Sequence, residues 1–373
     1  MSQEFTAAMR RATQATRAMD VAGATRIIGE ALGIGIGRDT GLPAMAPPEP
    51  AARPLRRRLG EVVRLLKAGK RAIPGLDARA HPPLPERPVP EGATFAAGRF
   101  AGPAGARDYR LYLPASLDGA APQGLVLMLH GCTQTPEDFA AGTGMNELAE
   151  THRLIVVYPS QTRAENPAAC WNWFRPGDQG REAGEPAILA GLARAMAEEH
   201  GVPPGRVFAA GLSAGGAMAA VLGATWPDLF AAVGVHSGLA HGSASDVVSA
   251  FAAMRGEAAP PREDTSAASA DVIVFHGSAD RTVHPSNAAR VAGTAGRPAH
   301  RSSGVAPGGR RYERLVTEPS GTGPRVECWM VEGAGHAWSG GRPEGSYTDA
   351  TGPDASAEMV RFFLDRPKRG AAR

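Results

Sequence analysis

Residues 206–226 read RVFAAGLSAGGAMAAVLGATW, and the architecture turns on this stretch. RVFAA is a short apolar run, as expected of a strand buried on both faces. AMAAVLGATW reads as a helix. Between them lies Gly211-Leu212-Ser213-Ala214-Gly215, followed by Gly216. A G-x-S-x-G pattern at a strand-to-helix turn is the signature of a nucleophile elbow. The glycines suit it because the serine backbone is strained and neighbouring chain passes close by. The helix N-terminus behind Ser213 also favours developing negative charge. The competing account is a glycine-rich turn holding an incidental serine.

Working outward, similar apolar runs recur: GLVLMLH, LIVVYP, FAAVGVHS, DVIVFHG and VECWMVEGAGH, each closing on Gly, Ser, Pro or His. Helix candidates such as MNELAETH, AILAGLARAMAEEH and GGAMAAVLGATW lie between several of them. FAAGRF and DYRLYLP ahead of the series look like opening antiparallel strands. Such alternation predicts an α/β fold with a doubly wound, mostly parallel sheet. Active residues of such sheets sit at the carboxyl ends of strands.

A serine hydroxyl is a weak nucleophile until a base takes its proton. His336, in Gly335-His336-Ala337-Trp338 after the last strand-like run, is the expected base. His284 is its competitor. His130, His200, His236 and His276 fit less well, since each ends a strand or helix without the right order of partners. Asp280, just beyond the penultimate strand, is the expected acid that holds the imidazole tautomer. Asp271 falls at the wrong end of that strand, and Asp246 and Asp264 fall in surface loops. The oxyanion hole needs two backbone N–H groups. Ala214 is expected to supply one and Cys132, in Leu129-His130-Gly131-Cys132-Thr133, the other, with His130 in a supporting role.

The 373 residues are 43% hydrophobic and 21% charged, a globular balance, and no run is apolar and long enough to span a membrane. The N-terminus is polar and lacks the apolar stretch of a secretory signal, so a cytoplasmic location is the default expectation. Charge is uneven: residues 1–90 carry a net +7 and the remainder −4. The sequence therefore predicts a helical and Pro/Gly-rich extension over 1–92, a catalytic domain over 93–366 and a basic tail over 367–373. Within the extension, residues 3–32 and 55–71 read as helices. The second is basic and either docks on the main domain or engages an anionic or granule surface. No nucleic-acid motif accompanies the charge, which argues against a nucleic-acid partner.

Taken together, LHGCTQTPEDFAAGTGMNELAE (129–150), YPSQTRAENPAACWNWF (158–174), GLSAGGAMAAVL (211–222), HGSADRTVHPSN (276–287) and GAGHAWSGG (333–341) resemble the polyhydroxybutyrate depolymerase family of esterases, which includes feruloyl-esterase-like members. The resemblance implies an α/β-hydrolase fold, ester hydrolysis without a cofactor or metal, and the triad Ser213, Asp280 and His336. It also implies a Cys132–Cys170 disulfide, the alternative being two buried thiols, as reducing cytosol would favour. Cys328, inside a strand, reads as a buried free thiol. With Cys170 anchored beside the oxyanion loop, Trp171, Trp173 and Phe174 would line the cleft, and Trp338 could join them as a substrate-binding residue; ordinary core packing is the alternative for each. The implied substrate is a short-chain polyester, with a polymer granule as a partner surface. A feruloyl or acetyl-xylan carboxylesterase is the second expectation, and a non-catalytic granule-coating protein the third.

Overall fold

The computed structural model describes residues 89–257, 270–293, 299–317 and 323–365. The helices expected over 3–32 and 55–71, their connectors and the basic tail lie outside the described residues.

In chain order the elements are β1 (Thr94–Gly102), β2 (Gly105–Leu113), β3 (Gly124–Leu129), α1 (Pro136–Thr143), α2 (Met145–His152), β4 (Leu154–Pro159), α3 (Gly184–Glu199), β5 (Val207–Leu212), α4 (Ala214–Thr225), β6 (Phe230–His236), α5 (Val247–Met254), β7 (Asp271–Gly277), α6 (Ser286–Ala292), β8 (His300–Val305), β9 (Arg311–Thr317), β10 (Val326–Val331), the short pair β11 (Trp338–Ser339) and β12 (Thr348–Asp349), and α7 (Ala355–Leu364). Among the described residues one ten-stranded sheet runs β1-β2-β4-β3-β5-β6-β7-β10-β9-β8. From β4 through β10 neighbours are parallel. The flanking strands are antiparallel, β1–β2 on one side and β9–β8 on the other.

The hairpin β8–β9 extends the sheet beyond what the apolar runs foretell. HRSSGV is polar and largely exposed, and RYERLVT interleaves charged with half-buried residues, so neither carries a buried-strand signal. The parallel strands behave oppositely. Every residue of β3 is buried, with Leu125, Leu127 and Leu129 in the core on one face and Val126 and Met128 in that on the other. That is the two-residue alternation of a strand covered on both sides. Each large apolar side chain so removed from water contributes about 1.5–3 kcal/mol. Met218, Leu222, Leu189 and Leu192 belong to the first core, and Phe208, Phe275, Met359 and Phe363 to the second.

Helix starts follow local chemistry. Asp246 caps α5 by accepting from Ser249 N–H at 2.7 Å, and Asp354 caps α7 by accepting from Ala357 N–H at 2.9 Å. Helix α4 has no side-chain cap. Its first N–H groups are thus left for another purpose.

Candidate active site

Ser213 stands between β5 and α4 with φ 58° and ψ −118°, in the left-handed half of backbone space that a side chain rarely adopts. The strain is imposed by the turn. A Cβ on Gly215 would land on the Leu129 carbonyl oxygen, and one on Gly216 would come 2.9 Å from the Gly211 oxygen. Only glycines let β5, α4 and β3 approach so closely. Ser213 N–H donates to the His236 carbonyl at 2.9 Å, which pins the elbow to β6. The serine is 8% exposed, recessed but reachable.

Asp280 and His336 meet although they lie 56 residues apart. His336 Nδ1 stands 2.7 Å from Asp280 Oδ2. The other carboxylate oxygen accepts from Thr282 N–H at 2.8 Å and Val283 N–H at 2.9 Å. Burial opposes the charge of Asp280. Hydrogen bonds from His276 and His336, the His336 charge and the Val283 N–H outweigh it and hold the carboxyl far below the usual carboxylate range. The loops carrying the pair are tied together by Ala279 N–H donating to the Ala334 carbonyl at 2.9 Å. His284, the competing base, instead makes a local contact with Ser286 Oγ at 2.9 Å.

The loop after β3 is immobilised from several sides. Cys132 and Cys170 form a disulfide. Thr133 N–H donates to the Ala168 carbonyl at 3.0 Å, and Gly131 N–H donates to Gln134 Oε1 at 2.8 Å. The neighbouring amides are thereby committed. Cys132 N–H, like Ala214 N–H at the head of α4, has no acceptor among the described residues. Two free donors on adjoining loops beside a strained serine are what a developing oxyanion requires. His130 braces this loop: its Nε2 accepts from Gln161 N–H at 3.1 Å, and burial pushes it down to about 4, so it stays neutral.

Trp171 and Trp338 are fully buried, and core packing describes both rather than an open aromatic wall. The Trp171 indole N–H donates to the His130 carbonyl at 3.0 Å, and that of Trp338 to Ser356 Oγ at 3.0 Å. A buried indole needs such a partner, so each ring is turned inward. Trp173 is 6% exposed and meets Phe174 edge-on at 5.7 Å. Cys328 is a half-buried free thiol.

Other supporting residues carried no sequence signal. Gln134 Nε2 donates to Asp138 Oδ2 at 3.0 Å and to the Ser346 carbonyl at 3.1 Å, bolting the loop after β3 to the segment beyond His336. Beneath the Cys170 segment, buried Glu185 accepts from Asn172 N–H at 2.7 Å and from the Gln161 amide. The Gln134–Ser346 and Glu185–Gln161 contacts bridge separations that no local pattern encodes.

The strand order and the elbow define an α/β-hydrolase. Residues 107–299 match the family described as Esterase PHB depolymerase, and the chain belongs to that family. It is 37% identical over 191 residues to poly(3-hydroxyalkanoate) depolymerase C of Paucimonas lemoignei, covering 47% of this chain and 44% of that protein. Acetylxylan esterase A of Talaromyces purpureogenus is 28% identical over 194 residues, covering 48% and 50%. The chain spans between 28% and 62% of the length of the curated relatives it matches. Among solved structures, acetyl xylan esterase from Aspergillus awamori superposes with a TM-score of 0.56 at 20% identity, over 72% of this chain and 98% of that one, a likeness of fold.

Proposed function

We propose that this chain hydrolyses carboxylic esters through an acyl-enzyme on Ser213, and that its substrate is a short-chain poly(3-hydroxyalkanoate). The reading rests on one observation above others: the Asp280–His336 pair, held at 2.7 Å by loops that follow the carboxyl ends of β7 and β10, parallel to the strand β5 that ends at the Ser213 elbow. In the proposed cycle the Ser213 hydroxyl attacks the ester carbonyl while His336 Nε2 takes its proton. The tetrahedral oxygen takes hydrogen bonds from Cys132 N–H and Ala214 N–H. Collapse breaks the ester C–O bond, and the imidazolium returns its proton to the departing alkoxide oxygen, which leaves as the alcohol. Water then attacks the acyl-enzyme with the same base, releasing the acid and free Ser213. Asp280 stays ionised throughout and stabilises the imidazolium.

The polyester choice is supported by the family and by the 37% likeness to a protein named as a poly(3-hydroxyalkanoate) depolymerase. The net +7 of residues 1–90 supports action at a polymer granule surface. A suspension of amorphous polyhydroxybutyrate should clear with the wild type and stay turbid with Ser213→Ala. Clearing that persists in Ser213→Ala overturns the nucleophile. Absent clearing alongside rapid turnover of acetylated xylan or methyl ferulate overturns the polyester and leaves the esterase.

A further inference from the structure

We propose that His236 is a positioning residue that holds the base-bearing loop in register with the nucleophile elbow, by accepting a hydrogen bond from Ser339 N–H. The proposal rests on Ser213 and His336 being the nucleophile and base.

His236 ends β6 and touches both loops at once. Its carbonyl accepts from Ser213 N–H at 2.9 Å, and its Nε2 lies 2.9 Å from the backbone nitrogen of Ser339, three residues beyond His336. A backbone N–H can only donate, so Nε2 carries the lone pair and the ring proton sits on Nδ1. Nδ1 has its acceptor in Ser237 Oγ at 3.2 Å. One neutral tautomer thus satisfies the whole ring. Burial, reinforced by the nearby imidazoles of His276 and His336, pushes His236 down to about 3.

The plane of the ring is fixed as well. It stacks on Trp338 with centroids 5.0 Å apart and on Phe275 at 5.9 Å, and Phe275 stacks in turn on Trp329 at 5.2 Å. Trp338 lies two residues after His336, and Phe275 lies five before Asp280. The column therefore joins β6, whose His236 carbonyl holds the Ser213 elbow, and β7, which leads to Asp280, to the loop that carries His336. A phenylalanine could fill the same slot in the stack. The acceptor nitrogen is what it would lack, and Ser339 N–H is buried with no other partner among the described residues.

Two variants separate the stack from the acceptor. His236→Phe keeps an aromatic ring and removes the lone pair; His236→Gln sets an amide oxygen near the Nε2 position and removes the ring. Both are assayed with p-nitrophenyl butyrate beside thermal melting, with Ser213→Ala and His336→Ala as controls. Expected is a fall in kcat of about 10- to 100-fold in folded His236→Phe, with KM changed by less than roughly twofold, and recovery of most of that loss in His236→Gln. A folded His236→Phe with wild-type kcat, or a loss carried by KM, overturns the proposal. Should His236→Phe not fold, His236→Gln decides: near-wild-type kcat upholds the acceptor, and a folded, inactive protein refutes it. Activity surviving in Ser213→Ala or His336→Ala refutes the triad and this proposal with it; both controls inactive with His236→Phe unimpaired refutes only the latter.

Discussion

His336 Nδ1 and Asp280 Oδ2 lie 2.7 Å apart, and the second carboxylate oxygen of Asp280 is occupied by two backbone N–H groups of its own loop. The carboxylate is therefore oriented before the histidine reaches it. Its charge places the imidazole proton on Nδ1, which leaves Nε2 as the basic nitrogen. Asp280→Asn keeps the size of the group but can present a donor where Nδ1–H needs an acceptor. We expect kcat to fall by about 10³- to 10⁴-fold in a folded protein. Steady-state hydrolysis of p-nitrophenyl butyrate measures it, and an undiminished kcat would remove Asp280 from the mechanism.

The backbone strain at Ser213 should be visible in stability. With φ at 58°, the residue carries a conformational cost of about 1–3 kcal/mol that glycine would not. Ser213→Gly should therefore melt higher than Ser213→Ala, by a few degrees, while both are inactive. Equal melting temperatures would mean that the elbow is not strained.

The Cys132–Cys170 bond closes a segment with a sequence separation of 38 and holds one proposed oxyanion donor. Cys170→Ser should lose about 2–4 kcal/mol of stability. It should also lower kcat more than it alters KM, since the role proposed for the Cys132 N–H is in the transition state. Chemical denaturation and steady-state kinetics on the same preparation test both halves. Unchanged stability with unchanged kcat would leave the disulfide without either role.

Acid should destabilise the protein in two stages. Burial holds His130 at about 4 and His236 at about 3, below the ordinary value near 6.5. The unfolded chain thus binds the extra protons first, and stability present above pH about 6.5 is lost as pH falls toward those values. Asp280, held far below the carboxylate range, adds stability that is present above pH about 4 and lost below it. Melting temperature followed from pH 8 to 4 should decline. The decline between pH about 6.5 and 4 should be shallower in His130→Gln, and an identical slope would show that this histidine is not buried neutral.

Much of the fold was legible because its parallel strands are buried on both faces and so are apolar throughout, as in GLVLML and LIVVYP. The helix Met145–His152 was readable for a related reason, as a helix-favouring segment between two such strands. The polar hairpin of His300–Val305 and Arg311–Thr317 was not, since its pairing, not its composition, makes it sheet. Ser213 was legible from the glycines around it, and His336 and Asp280 from their places after the last two parallel strands.

By itself, then, the sequence determined the elbow, the order along the chain of the candidate residues Ser213, Asp280 and His336, and the family to which the chain belongs. Those properties are local, because strand, turn and glycine requirements are met within a few residues. Only the tertiary structure decided which amides near Cys132 are free and that Trp171 and Trp338 face inward. It alone brought His236 between the Ser213 and His336 loops, and Gln134 against Ser346. Each of those relationships depends on which donors are already satisfied once distant segments pack together. A chain pattern cannot state that, because an N–H group is the same in every residue but proline until something is folded against it.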